Sequence, residues 1–226
     1  EEYASLHEGV LGPSGESADF FAEYKAKDAA REVSRRLSGK DGSILDFGCG
    51  VGGAIPHLIN HLPGWNVSGA DVSAKSLAIA RQRFGGKAKF VYFDGHHLPF
   101  EKDMFSVVFT ACVFHHVPSE NHLALFREIF RVLKPGGFFI IFEHNPHNWL
   151  TVKAVKDCPF DENAVLIQAG ECAENVSCAG FINPQINYRI FFPAVLRSLR
   201  ILERMMTWLP LGAQYYVCAE KPYHKG

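Results

Sequence analysis

The sequence predicts an α/β fold, a mostly parallel sheet with helices packed on both of its faces. Three observations carry that prediction. Between residues 44 and 142, short apolar runs alternate with stretches whose apolar residues recur at helical spacing. The runs are apolar at consecutive positions, as in FFIIF at 138–142, which suits strands covered on both faces. A glycine-rich turn, ILDFGCGVGGA at 44–54, joins the first run to the helical stretch after it. With 226 residues the chain can bury one sizeable core but hardly two, so residues 1–226 read as a single domain.

Taken in order, residues 1–16 are polar and glycine-containing, and read as a mobile arm. Ser17 or Asp19 can cap a helix over 17–38, where Ala26, Ala30, Val33 and Leu37 share a face. The first strand spans 44–47, and a helix from about Gly53 ends at Pro63-Gly64. Strand two is 67–71; Ser73 caps a helix with Leu77, Ala80 and Phe84 inward, closed by Gly85-Gly86. Strand three is 89–93 and strand four 105–110. A helix with Leu123, Phe126, Phe130 and Leu133 on one face then stops at Lys134-Pro135-Gly136-Gly137, before strand five at 138–142. Beyond it the rhythm changes. Ile186, Tyr188, Ile190 and Phe192 alternate with polar residues as a half-covered strand, 193–209 is helix-rich, and 214–220 supplies a last strand. Two late strands without a strand-helix-strand repeat predict an antiparallel ending.

Composition narrows the function. A net charge of -1, without a lysine or arginine run, gives no footprint for a phosphate backbone, so no nucleic-acid partner is expected. Apolar runs fall far short of the roughly 18 residues of a membrane span, and no stretch reads as a secretory leader. The six cysteines form no CxxC pair in a chain able to build a core without staples, which points to a reduced, cytoplasmic protein. Nothing in the sequence sets an oligomeric state.

The glycine turn has two parses. Gly48-x-Gly50-x-x-Gly53 matches a dinucleotide fingerprint, in which a helix N-terminus holds a pyrophosphate. Asp46-x-Gly48-x-Gly50-x-Gly52 instead puts an acid within the strand, a costly place for a charge unless it meets amides or a cation. Asp71 follows strand two, where a carboxylate can accept from ribose hydroxyls, and Asp94 follows strand three in YFDGHHLPF. Together with VVFTACVFHHVP at strand four and LKPGGFFIIFEHNP at strand five, these segments resemble the class I S-adenosylmethionine-dependent methyltransferases, in their small-molecule branch, over roughly residues 20–220.

The resemblance implies a Rossmann-like three-layer sandwich, a seven-stranded, mostly parallel sheet with an antiparallel carboxyl-terminal pair. It implies S-adenosyl-L-methionine as cofactor. Gly48, Gly50 and Gly52 would approach its methionine portion, with Asp46 organising the loop or meeting the amino group. Asp71 would hold the ribose and Asp94 the adenine amino group beside Gly95 or His96, with Phe47, Val72 and Leu98 either packing on the adenosine or belonging to the core. Methyl transfer is an in-line displacement in which positioning can supply roughly 7 to 11 kcal/mol. An acceptor hydroxyl or acidic carbon also needs a base. His115, His116 and His144 are the catalytic candidates, since they follow strands four and five and histidine titrates near neutrality. Each is also an ordinary hydrogen-bonding histidine. Glu143, His144, Asn145 and His147 are too crowded in a Pro-containing loop to ligate one metal together, so no metal is expected. Residues 144–180, with Tyr3, Phe20, Phe21 and Tyr24, are expected to cover a small-molecule, partly apolar acceptor. The alternatives are a donor-binding protein that transfers nothing and a nicotinamide-dependent oxidoreductase.

Overall fold

A computed structural model of the chain describes residues 15–37, 39 and 41–223. Most of the expected arm, and Tyr3 with it, therefore lies outside the described residues. Helix α1 (Ala18–Arg36) starts where Ser17 Oγ accepts the Phe20 amide at 3.1 Å. Then come β1 (Ser43–Phe47), α2 (Ile55–His61), β2 (Asn66–Asp71), α3 (Ala74–Phe84, capped by Ser73), β3 (Lys89–Tyr92), β4 (Phe105–Ala111), α4 (Ser119–Val132) and β5 (Leu133–His144). The last third adds α5 (Trp149–Asp157), α6 (Ala169–Cys178), β6 (Ile182–Arg189), a 3-10 stretch (Ala194–Met205) and β7 (Gln214–Glu220).

The strands form one seven-stranded sheet in the order β3-β2-β1-β4-β5-β7-β6. Pairs among β1 to β5 are parallel, and β7 runs antiparallel to both β5 and β6. This is the predicted sheet with its antiparallel ending. Its side chains alternate between two cores. Leu45, Phe47, Val108 and Phe139 pack under α4 and α6 through Phe126, Ile129, Cys172 and Val176. Ile44, Val107, Phe109 and Ile140 pack against α1, α2 and α3 through Val33, Leu58 and Leu77. Each such fully buried Phe, Leu or Ile contributes roughly 1.5–3 kcal/mol relative to exposure.

Three boundaries differ from the sequence prediction. Lys134-Pro135-Gly136-Gly137 does not separate a helix from a strand, because Leu133 already pairs with Phe105 and the four residues bulge within β5. Gly136 and Gly137 exchange backbone bonds with Lys221 at 2.9 and 2.8 Å, and the Lys221 ammonium caps the Phe130 and Leu133 carbonyls. β6 stops at Arg189, short of Phe192. Ile190 turns to φ 62°, and the Phe191 and Phe192 amides donate instead to the buried Glu203 carboxylate. Within 144–180, α6 belongs to the helical layer under the sheet, with Cys172 and Val176 fully enclosed. The part facing the site is α5 and the short 3-10 turn Pro159–Asp161.

Candidate active site at the carboxyl ends of the strands

β1 is central and carries Asp46 between Gly69 of β2 and Phe109 of β4. The chain then reverses through the glycine turn. Gly48 takes φ 75°, and a Cβ there would meet the Val113 side chain at 2.4 Å, so no other residue fits. Gly50 takes φ 52° with open space where a Cβ would stand. The backbone approaches the strand-end crevice bare.

The turn's donors decide between the two parses. Gly48 and Cys49 amides donate to the Ala70 carbonyl at 2.8 and 3.1 Å, and the Gly52 amide to Cys49 at 2.9 Å. The Gly50 amide donates to Asp71 Oδ2 at 2.7 Å, and Ser73 N to Asp71 Oδ1 at 2.8 Å. A pyrophosphate needs such N–H groups aimed outward. Here the Gly48, Cys49, Gly50 and Gly52 amides are engaged, and two carboxylates, Asp46 and Asp71, stand beside the turn. The site fits a ligand that brings hydroxyls and a cation.

Asp46 is 3% exposed. Burial pushes its carboxyl up to about 7, the neighbouring Asp71 adds to this, and Lys25 opposes it. Lys25 reaches in from α1 and donates to Cys112 Sγ at 3.1 Å. Cys112 follows β4 at φ 58°. Burial alone would raise its thiol, but the Lys25 ammonium and His144 outweigh it and hold the thiol at about 6. A cavity of about 600 Å³ opens here, lined by Phe21, Lys25, Asp46, Gly48, Cys112 and His144 and closed by α5 and Asp161. That volume suits a small molecule.

Val72, Asp94 and Gly95 form a shelf beside the turn. Val72 is 54% exposed, and a Cβ on Gly95 would lie 3.7 Å from it. Asp94 is exposed; its Oδ1 accepts the His96 and His97 amides at 2.9 and 2.8 Å, which lowers its carboxyl. Phe47 and Leu98, by contrast, do not reach the shelf: both are fully buried core, Phe47 stacked on Phe114.

The three candidate histidines separate. His144 lines the cavity, its ring 5.3 Å from that of His115. His115 is 2% exposed, with Nδ1 2.6 Å from Glu143 Oε2. Burial lowers its imidazole, but Asp161 and Glu143 more than compensate and raise it to about 10, which suits holding a proton and not taking one. His116 is 44% exposed, with Nε2 3.4 Å from Asp161 Oδ1, and does not line the cavity. His122 takes the ordinary role, bonding the Phe114 and Val117 carbonyls.

Four site residues escaped the sequence reading as parts of one site. Lys25 shares a helical face with Asp28 and Glu32, charged residues buried in phase with Ala26, Ala29 and Val33. That i, i+3, i+7 charge stripe was the available signal. Glu143, 0% exposed, accepts the Val113 and Phe114 amides at 3.2 and 2.8 Å as well as His115, and so fixes the segment after β4. Cys112 and Asp161 carried no local signal, since their partners lie far along the chain.

The sheet order, with a glycine turn flanked by Asp46 and Asp71 at the strand ends, defines a Rossmann-like α/β class. Residues 44–137 match the family described as "Methyltransferase domain". The chain is 34% identical over 140 residues to the sterol 24-C-methyltransferase of Schizosaccharomyces pombe, covering 57% of this chain and 36% of that protein. It is 38% identical over 127 residues to the demethylmenaquinone methyltransferase of Lactococcus lactis, covering 53% of this chain and 50% of that one. The chain thus spans half or less of these two relatives. Among solved structures, a SAM-dependent methyltransferase of Archaeoglobus fulgidus superposes with a TM-score of 0.70 at 15% identity, covering 98% of this chain and 100% of that one. Phosphoethanolamine N-methyltransferase 2 of Haemonchus contortus, solved with S-adenosyl-L-methionine, gives 0.61 at 20% identity, covering 96% and 60%. Over residues 44–137 the chain thus matches a methyltransferase domain, and it is similar in sequence and fold to S-adenosylmethionine-dependent methyltransferases.

Proposed function

We propose that this protein methylates a small, partly apolar molecule held in the cavity beneath α5. One observation carries the proposal: the same cavity is walled at one end by Asp46, Gly48 and Cys112 and at the other by the cover residues Leu150, Val155 and Asp161. The relatives named above act, by their names, on sterol and demethylmenaquinone, which supports an apolar acceptor.

When bound, S-adenosylmethionine supplies a methyl group on a positively charged sulfur. The chain's own residues divide the remaining work. Asp46 opposes the ligand's ammonium, Asp71 accepts from the ribose hydroxyls, and Asp94 accepts from the adenine amino group over the Val72-Gly95 shelf. Gly48, Gly50 and Gly52 let the backbone come close. His144 is the one of the three candidate histidines that lines the cavity, and it takes the acceptor's proton. His115 and Glu143 hold the loop between β4 and α4. His116 has no position in this scheme. Among the described residues no disulfide joins the six cysteines, and no described helix is long and apolar enough to cross a membrane.

The test is transfer of label from tritiated donor to an extract fractionated by polarity, with adenosylhomocysteine affinity measured alongside. Labelled product in an apolar fraction is expected. Tight donor binding without labelled product would identify a silent binding protein instead.

A further inference from the structure

We propose that His115, His116 and Asp161 form a binding site for a divalent transition-metal cation against the wall of the cavity. Sequence alone gave no such site, because Asp161 lies in the cover and both histidines at the end of β4. Among the described residues, this is the group of three whose ligand atoms all fall within 4.8 Å of one another.

Distances separate a cation site from hydrogen bonding. His115 Nε2 and His116 Nε2 converge on the same oxygen, Asp161 Oδ1, at 3.5 and 3.4 Å. Charge-assisted N–H···O bonds run at about 2.7–2.9 Å, and the neighbouring His115 Nδ1···Glu143 Oε2 contact, at 2.6 Å, shows what this site does when it makes one. Metal–nitrogen and metal–oxygen bonds of about 2.0–2.2 Å put adjacent ligands of a tetrahedral ion roughly 3.3 Å apart. The observed spacing matches that edge.

Glu143 completes the arrangement. Fully buried, it accepts from His115 Nδ1–H and so fixes the ring with Nε2 toward Asp161, where a cation would displace the proton that nitrogen holds. Two imidazoles and one carboxylate suit zinc, iron, cobalt or manganese better than magnesium or calcium. Three protein ligands leave a position open to an oxygen from the cavity, which Asp161 lines. The site also ties the cover to the sheet, where the Val165 amide already donates to the His115 carbonyl at 2.8 Å. On the methyl-transfer proposal, which this role rests on, a cation held by His115, His116 and Asp161 would supply Lewis acidity to an acceptor hydroxyl, and His144, which lines the cavity, would take the proton.

The experiment is a cobalt(II) titration of the chelator-stripped full chain, followed by visible absorption and equilibrium dialysis. One cobalt per chain is expected, with Asp161→Asn and His116→Ala each weakening it at least about tenfold; His116 is exposed enough for its variant to stay folded. No saturable binding in the wild type, or binding that survives both substitutions unchanged, overturns the site. Adenosylhomocysteine calorimetry on the same wild-type sample is independent of the metal, so its failure counts against the methyl-transfer proposal and not against the cation.

Discussion

Replacing Asp71 by Asn removes one charge while keeping the shape of the side chain. In the structure both carboxylate oxygens are occupied, one by the Gly50 amide at 2.7 Å and the other by the Ser73 amide at 2.8 Å. Asparagine offers one oxygen, so its NH2 must face the second amide. One charge-assisted bond is lost, at about 1.5–3 kcal/mol. For a chain of this size, each kcal/mol moves the melting temperature by about 2–4 °C, so calorimetry should find Asp71→Asn about 3–12 °C less stable. Donor binding suffers separately. A ribose hydroxyl donating to a neutral amide instead of a carboxylate forfeits about half the bond, about 0.75–1.5 kcal/mol, or roughly 3.5- to 13-fold in Kd. The loosened turn adds to that. Titration calorimetry with adenosylhomocysteine at fixed salt reads the sum. A folded Asp71→Asn protein that binds within twofold of wild type refutes the ribose assignment, whatever its melting temperature.

Asp46 sets a pH dependence whose sign is opposite to that of a paired carboxylate. Its folded value, about 7, lies above the roughly 3.9 of an unfolded aspartate. The folded chain therefore holds the extra proton between those values, and stability falls as pH rises toward 7 and flattens above. The ligand-free Asp46→Asn variant should melt above wild type at pH 8, by up to about 4 kcal/mol, with the gap closing toward pH 4; a wild type at least as stable at pH 8 contradicts it. Cys112 should be alkylated by iodoacetamide faster than the other cysteines, with a rate midpoint near pH 6, and adenosylhomocysteine should protect it. Peptide mapping that finds the label elsewhere first would count against the Lys25 pairing. Asp28 makes a bidentate pair with Arg189, 2.8 Å on each side and buried at both ends. Asp28→Asn should cost about 3–5 kcal/mol, because it strands the guanidinium; a melting temperature within 2 °C of wild type would show the pair to be dispensable.

The sheet was legible because its information is local. Consecutive apolar positions mark β1, β4 and β5, and Ser73 and Gly85 bracket α3. Boundaries failed where a distant residue decides them. Lys221, at the chain's far end, draws Gly136 and Gly137 into β5, and Glu203 takes the amides that would have prolonged β6. The site shows the same division. Asp46 and the glycines announce themselves by spacing within one turn, and Asp71 by its place at the end of the next strand. Lys25, Glu143 and Asp161 act across it, and a buried charge on a helix of modest apolarity looks like a solvated face until the sheet is placed against it.

The donor end of the cavity also explains why glycine spacing alone was ambiguous. Glycines report only that a backbone must come close, and a pyrophosphate and an aminoacyl-adenosyl ligand both demand that. What differs is the sign of the field. Asp46 and Asp71 flank the turn, and Lys25 is drawn toward Cys112, whose thiol it favours as thiolate. A diphosphate entering this space would lose its hydration against two carboxylates, with the Gly48, Cys49, Gly50 and Gly52 amides already engaged. A ligand carrying an ammonium and a sulfonium meets those same groups as partners, in surroundings where charge interactions are several times stronger than in water. On the proposed function, the discrimination lies in the acids carried by β1 and β2 and in the amides that Asp71 holds, and the glycines only make room for it.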